Sequence, residues 1–325
     1  MSAPLLEVSG LGLQLGQRAP ITLLQDVSFA LERGEILGIV GESGSGKSLT
    51  CRAITQLLPP NIRRSEGKIR LGGREIQDLS DADMTKVRGR EIGMIFQNPS
   101  SFLDPVMTVG DQIAEAVRVH MGASRREALA EAVEILRQVG IPDPASRARS
   151  FPHEFSGGMR QRAMIAGAIA CRPKVLIADE PTTALDVTIQ AQILRLLLQM
   201  RDEKSLGIIL ITHDLSVVTQ TCDRVVVMYA GRLMEAASVQ EILTAPSHPY
   251  TASLIASQPE RARPGEALPA IGGQPPGPQE ELAGCRFAPR CARAERLCEV
   301  TVPEPHQFAQ GHVSACHFAG KVRLQ

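Results

Sequence analysis

The chain has no tryptophan, two tyrosines and only 3% aromatic residues in 325. A surface that stacks the bases of a single-stranded nucleic acid needs more rings than that. Excess charge of either sign is missing too, since 35 Lys and Arg balance 35 Asp and Glu. Neutralising a phosphate backbone normally shows as a basic excess, so no nucleic-acid partner is expected. No apolar run approaches the roughly 20 residues needed to span a bilayer. Residues 1–10 lack the basic start and apolar stretch of a signal peptide, so the expected compartment is the cytosol. In that reducing compartment the seven cysteines are not expected to form structural disulfides.

What is present supports a sizeable core: 43% hydrophobic and 22% charged residues over a length that suggests two domains, one of them large. Leu5–Leu15, Ile21–Leu31 and Lys68–Leu71, the last followed by Gly72-Gly73, read as strands. Glu35–Val40 is a continuous apolar run, as in a buried parallel strand. A helical region spans about Thr108–Ala170. Its clearest helix starts at Ser124 with Glu127 as a capping box, carries Leu129, Val133, Leu136 and Val139 on one face, and stops at Gly140 and Pro142. Strand Lys174–Ala178, helix Val187–Met200 and strands Leu206–Thr212 and Arg224–Met228 then alternate, which implies a mostly parallel sheet. From Pro259 to Pro278 the chain is rich in Pro, Gly and Ala without periodicity and reads as a linker. Gly284–Gln325 reads as a separate Cys-rich tail.

Gly41-Glu42-Ser43-Gly44-Ser45-Gly46-Lys47-Ser48 fits G-x-x-x-x-G-K-[ST] directly after a strand and before a helix-like segment, Leu49–Leu58. Glycines let backbone amides turn inward around phosphate oxygens, and the helix N-terminus faces the same anion. Lys47 is placed to bridge the β- and γ-phosphates and Ser48 to bind Mg²⁺. Val175–Glu180 is an apolar strand ending in two acids: Asp179 suits Mg²⁺, and Glu180 suits polarisation of an attacking water. Phe155-Ser156-Gly157-Gly158-Met159 opens a second helix whose start can take an anion, with Ser156 as its cap. Gln97 follows the apolar Ile92–Phe96, Ala184-Leu185-Asp186 lies beyond Glu180, and His213 ends a strand.

Together these segments resemble the nucleotide-binding subunit of an ABC transporter, in motif order and spacing, over residues 5–245. Gly41–Ser48 is similar to the Walker A loop, with the amides through Leu49, and Gln97 to the Q-loop. Phe155–Met159 is similar to the signature sequence, with Phe where Leu is commoner. Asp179 and Glu180 match Walker B and the catalytic glutamate, Asp186 the D-loop, and His213 the switch histidine. The resemblance implies an α/β fold with a RecA-like parallel core, an antiparallel β-subdomain and a helical subdomain at about 98–170. It implies a nucleotide-binding domain over 1–258, a linker over 259–283 and a Cys-rich extension over 284–325.

Mechanistically, the resemblance implies two cassettes paired head to tail. Each ATP then lies between one Walker A loop and the partner's Ser156, Gly157 and Gly158. Glu180 is then the general base, His213 contacts the γ-phosphate, and Gln97 senses Mg²⁺ and water. One departure stands out: the position expected to stack an aromatic on adenine holds Leu15, with Leu13 beside it. Weaker discrimination between ATP and GTP is expected. Unchanged affinities for both nucleotides in Leu15→Tyr would remove that idea.

Finer segments are similar to the oligopeptide/dipeptide importers: Phe96-Gln-Asn-Pro, Phe151–Arg162, His248-Pro-Tyr-Thr251 and the tail. Leu57-Leu-Pro-Pro and Lys86–Glu91 are similar to the D-type of the branch's two ATPases. Its implied mate is the paralogous F-type subunit in a heterodimer, working with two permeases and, indirectly, an extracytoplasmic solute-binding protein, at the cytoplasmic face of the bacterial inner membrane. Relatives in this branch also carry nickel chelates, glutathione and opines. Soluble ABC ATPases normally join two cassettes or insert a coiled coil, and a metabolic kinase needs neither Ser156 nor His213.

Cys285, Cys291, Cys298 and Cys316 are separated by five, six and seventeen residues, without a C-x-x-C knuckle. An iron–sulfur cluster, Zn²⁺ and unligated thiols all remain open on spacing alone. Some members of the family carry a [4Fe–4S] cluster here, and the four positions match. His306, His312 and His317 read as packing or surface residues, and Cys51, Cys171 and Cys222 as small buried hydrophobes within apolar helical stretches.

Overall fold

The structure is a computed structural model that describes residues 3–183, 185–258, 270–280, 282–309 and 311–320. Of the expected linker, residues 259–269 and 281 lie outside the described residues, as do Ala184 of the D-loop segment and residues 321–325 of the tail. The chain forms two compact units. The first comprises the described parts of Met1–Ala30, Ile36–Gln77 and Thr212–Gln325; the second is Leu31–Glu35 with Asp78–Ile211.

The first unit opens with β1 (Leu6–Leu15), β2 (Ile21–Leu31), β3 (Ile36–Val40), α1 (Lys47–Ile54), β4 (Ile62–Leu71) and β5 (Arg74–Glu75). β3 is buried at every position, as its unbroken apolar run requires. β4 starts at Ile62, earlier than the expected Lys68, because its first half is a mostly exposed polar ribbon that hides the strand signal. β2-β1-β4-β5 make a four-stranded sheet in which β4 runs antiparallel to β1 and β5. Helix α1 ends at Ile54 rather than Leu58, because Gln56 turns left-handed at φ 52 ahead of Pro59 and Pro60.

The second unit holds α2 (Asp81–Val87), β6 (Ile92–Ile95), α3 (Pro99–Phe102), α4 (Val109–Met121), α5 (Arg125–Gln138), α6 (Pro144–Arg147), α7 (Gly157–Ile169), β7 (Val175–Asp179), α8 (Val187–Lys204) and β8 (Gly207–Ile211). β6, β7 and β8 are parallel neighbours, and all of their residues are buried. The capping box of α5 is formed: Ser124 Oγ accepts from Glu127 N–H while the Glu127 carboxylate accepts from Ser124 N–H. Its buried face is centred on Ala128, Ala132, Ile135 and Leu136, with Leu129 and Val133 only half-buried. Small alanines let α5 close on α4 and α7, a preference that hydrophobic periodicity alone underweights.

The chain then returns to the first unit with α9 (Leu215–Thr221), β9 (Arg224–Tyr229), β10 (Arg232–Ser238), α10 (Val239–Thr244), α11 (Pro249–Ala256), α12 (Arg296–Val300), β11 (His306–Ala309) and β12 (His312–Ser314). β9 is parallel to β3, and β10 turns back antiparallel through Ala230 and Gly231. Gly231 sits at φ 80, and a Cβ there would lie 2.1 Å from Leu23 O, so only glycine fits.

The tail is not an appendage. β12 pairs with β10, β11 pairs with β12, and Phe287 is buried in the core beside Tyr229 and Tyr250. The three ring centroids are 4.7–5.3 Å apart. Glu235 of β10, fully buried, accepts from Ser247 N–H at 2.6 Å, His248 N–H at 2.9 Å and His312 Nε2 at 2.7 Å. One carboxylate thus joins β10, the start of α11 and β12.

His248 is fully enclosed, and burial pushes its pKa down to about 4. An unfolded chain takes that proton from about pH 6.5, so it binds more protons than the native state between the two values. Stability is therefore complete above pH 6.5, falls as pH drops through that window, and levels off below about 4. We expect a loss of up to about 3 kcal/mol from this group. Asn can replace the ring's acceptance of Tyr250 N–H at 3.0 Å, so denaturant titrations of His248→Asn should lack this part of the pH dependence.

Candidate nucleotide site

In the first unit, Gly41 to Gly46 form a loop between β3 and α1. Gly41, at φ 152, passes so close to β9 that a Cβ would sit 2.1 Å from Met228 O. Gly44 lies at φ 77 with nothing near its missing Cβ, and Ser43 and Gly44 are exposed. Lys47 is buried, and its Nζ donates to Gly41 O and Glu42 O, both at 2.8 Å, and to Ser45 Oγ at 3.3 Å. An ammonium held by the rim of its own loop is preorganised at the anion cradle. Ser48 and Leu49, in the first turn of α1, are half-buried, and the helix directs its amide end into the same loop. Leu13 is buried in the core, whereas Leu15, at the end of β1, is half-buried. His213, exposed, follows Thr212 and precedes Asp214, the cap of α9.

In the second unit, Asp179 ends β7, buried and in register with Ile211 of β8. Glu180 adopts φ 48, a left-handed backbone unusual for a non-glycine residue, which ends the strand and starts the turn to α8. Its carboxylate accepts from Gln97 Nε2 at 2.8 Å and from Thr183 Oγ1 at 2.9 Å. The Gln97 loop and the acid turn, 83 residues apart in sequence, are thus in contact. Ser156 caps α7 by accepting Met159 N–H at 3.3 Å, and Ser156 and Gly157 are exposed at its start. Phe155 is buried behind them, which accounts for the tolerance of Phe where Leu is commoner. Gly158 lies against Ile189, where a Cβ would meet Ile189 Cγ2 at 3.0 Å. Asp186 caps α8 by accepting Ile189 N–H at 2.9 Å.

Several supporting residues were given no role of their own in the sequence reading. Thr183 orients Glu180, and buried Gln161 donates to Pro181 O at 2.6 Å, tying α7 to the acid turn. Glu42, Tyr250 and Arg290 form a network behind the phosphate loop. The threonine, three residues after Glu180, could have been flagged as a side chain one turn away from an acid.

The four tail cysteines are free thiols lining one cavity of about 450 Å³. Burial raises the pKa of Cys285 and Cys291 and pushes Cys316 up to about 11, each thiol's neighbours adding to the rise. Backbone N–H groups of Phe287, Ala288, Arg293 and Phe318 work the other way, favouring thiolate. Among the described residues, no group of three or more His, Cys, Asp or Glu side chains is placed to hold a metal ion. His312 is committed to Glu235, His317 Nε2 donates to Thr301 O at 2.9 Å, and His306 lies at the surface, so all three are packing or surface residues. Cys51 and Cys171 are buried, but Cys171 and Cys222 stand at helix ends rather than inside helices. Burial pushes Cys222 up to about 12, which keeps it inert.

Comparison with known proteins matches this arrangement. Residues 24–183 match the family described as ABC transporter, and residues 234–298 match the oligopeptide/dipeptide transporter C-terminal region. The chain is 50% identical over 309 residues to the probable peptide ABC transporter ATP-binding protein y4tR of Sinorhizobium fredii, covering 94% of this chain and 92% of that one. It is 45% identical over 315 residues to the dipeptide transport ATP-binding protein DppD of Escherichia coli, covering 97% and 96%. Among solved structures, the ATP-binding cassette MJ0796 in a dimeric post-hydrolysis state with ADP and Pi aligns with a TM-score of 0.65 at 28% identity, over 72% of this chain and 98% of that one.

The chain therefore belongs to the ABC transporter ATP-binding proteins, in the oligopeptide/dipeptide branch, and it is an ATPase. Among the described residues no helix is long and apolar enough to cross a membrane.

Proposed function

We propose that this chain hydrolyses ATP to energise import of di- and oligopeptides through two permease subunits. Its partner in hydrolysis would be a second, F-type ATPase subunit, and its place the cytoplasmic face of the bacterial inner membrane. The observation that carries the reading is the exposed start of α7: Ser156 and Gly157 present an anion-binding helix end in a sequence with one phosphate loop. Such an end completes a partner's nucleotide site when two cassettes close. The peptide cargo rests on the match to the oligopeptide/dipeptide C-terminal region and on the relatives' names.

In this reading the amides of Gly41, Ser43, Gly44, Ser45 and Gly46, continuing through Leu49, hold phosphate oxygens, and Lys47 neutralises the β- and γ-phosphates. Ser48, Asp179 and Gln97 would hold Mg²⁺, which would offset the charge on the phosphates. Glu180 takes the proton of the attacking water, His213 contacts the γ-phosphate, and Asp186 faces the partner cassette. The Gln97–Glu180 hydrogen bond supports direct coupling of the sensing loop to the base.

We also propose that Cys285, Cys291, Cys298 and Cys316 hold a [4Fe–4S] cluster. Zinc at about 2.3 Å from each sulfur would draw the sulfurs into one tight tetrahedron, whereas a four-iron cube spreads its ligands. Four cysteines around one cavity of about 450 Å³ leave room for the cube, and the N–H groups near their sulfurs suit bound thiolates. With every iron capped by a thiolate, the cluster would act structurally. Iron and sulfide quantitation on anaerobically purified protein tests it: about four of each per chain supports the cluster, and absence of both removes it.

The transport reading is tested by tagging the Glu180→Gln variant and purifying it from membranes in mild detergent with MgATP. A second ATPase and two permeases identified by mass spectrometry support it. Recovery only from the soluble fraction, alone or with ribosomes, overturns it.

A further inference from the structure

Arg290 lies in the short turn between the first two tail cysteines, one residue before Cys291. Its side chain is only 5% exposed and its donors are fully engaged. Nη1 donates to Glu42 Oε2 at 2.8 Å and Nη2 to Glu42 Oε1 at 3.1 Å, a bidentate pair. Nη1 also donates to Tyr229 OH at 3.0 Å, Nε to Gly272 O at 2.8 Å and Nη2 to Ile271 O at 3.2 Å.

Glu42 is the second residue of the phosphate loop. Its N–H donates to Tyr250 OH at 3.0 Å, and its carbonyl accepts from Lys47 Nζ at 2.8 Å. The only two tyrosines in the chain therefore both spend their hydroxyls on this knot, one on each partner. The turn carrying Arg290 is tight: Ala288 N–H donates to Cys285 O, Arg290 N–H to Phe287 O, and Cys291 N–H to Ala288 O. Cys285 and Cys291 bracket that turn, and both line the four-cysteine cavity.

We propose that Arg290 is a positioning residue for the phosphate loop, and that through it the state of the four-cysteine cavity sets nucleotide affinity. The second half rests on the cavity being a ligand-holding thiolate site. Binding at Cys285 and Cys291 fixes the turn between them, which holds the guanidinium against Glu42. Glu42 in turn fixes the carbonyl that orients Lys47. Emptying the cavity frees the turn and leaves Glu42 partly buried without its cation, so the loop relaxes away from its phosphate-binding form. Lysine cannot replace Arg290, because a single ammonium cannot make the two parallel bonds and reach Tyr229 and Gly272 as well.

The test is equilibrium binding of ATP to the full chain, purified anaerobically, in the Glu180→Gln background. Arg290→Met and Glu42→Gln should each raise Kd about tenfold, and the double variant no more than either alone. Arg290→Lys should fail to rescue. In the hydrolysing protein, Arg290→Met should raise KM while kcat changes about twofold or less. Cys285→Ser/Cys291→Ser should raise Kd in the Glu180→Gln background but add nothing to Arg290→Met. An unchanged Kd in Arg290→Met, or single effects that multiply in the double variant, overturns the positioning role. If Arg290→Met does not fold, Glu42→Gln decides alone, and an unchanged Kd overturns it. No effect of the cysteine pair overturns the coupling. Iron content of the same preparations separates the two readings: non-additivity without iron refutes the cluster and keeps the tether, whereas iron with full additivity does the reverse.

Discussion

Glu180→Gln should leave ATP binding within about twofold of the wild type and lower hydrolysis by about 10²–10⁴-fold, the usual contribution of a general base. The substitution is nearly isosteric. The left-handed backbone at residue 180 is set by the strand end, where Glu180 N–H donates to Ile211 O at 3.0 Å, and does not depend on the carboxylate's charge. An amide oxygen can still accept from Gln97 and Thr183, which reach the carboxylate at 2.8 and 2.9 Å. What is lost is the ability to take a proton. Thr183→Ala and Gln97→Ala, which each remove one hydrogen-bond partner of the carboxylate but leave the carboxylate itself, should each cost less. Phosphate release under saturating MgATP, with binding measured in parallel, checks all three. Turnover within threefold of wild type in Glu180→Gln would place the base elsewhere.

The largest expected effect on stability comes from Glu235→Leu, at about 3–5 kcal/mol. The carboxylate is fully buried and answers two backbone N–H groups and His312 at once. Leucine keeps the bulk and orphans all three donors. β12 then keeps to β10 a short ladder at Glu235–Ser314 and Ala236–Val313 and the bond from Ala315 N–H to Met234 O at 2.8 Å, so the cysteine tail should loosen with it. Denaturant titration measures the loss, and proteolysis of the tail reports where it falls. A loss below about 1 kcal/mol would mean that water replaces the carboxylate at these donors.

The motifs of the candidate site were legible as motifs because each is written within a few residues. Gly41–Ser48 sits between a strand and a helix as its pattern demands, and the capping box at Ser124 and Glu127 depends on a spacing of three. Local patterns failed where the deciding partner is distant. Nothing near Arg290 indicates that it pairs with a carboxylate 248 positions away. β11 and β12 are too short and too polar to register as strands, and exist because β10 offers an edge to β12 and β12 one to β11. The buried face of α5 was read one residue away from its true centre, because leucine and valine outweigh alanine in any hydrophobicity pattern while close helix packing favours alanine. The four cysteines were legible as a set, but only folding shows that they line a common cavity and that the turn between two of them reaches the phosphate loop.

The most direct test of the account is the ATPase rate of the proposed membrane assembly, this chain with a second ATPase and two permeases, reconstituted in lipid nanodiscs with a candidate solute-binding protein. Adding peptide-loaded binding protein should raise phosphate release well above the basal rate, and Glu180→Gln should abolish that rise. A rate indifferent to both peptide and binding protein would contradict a role in peptide import.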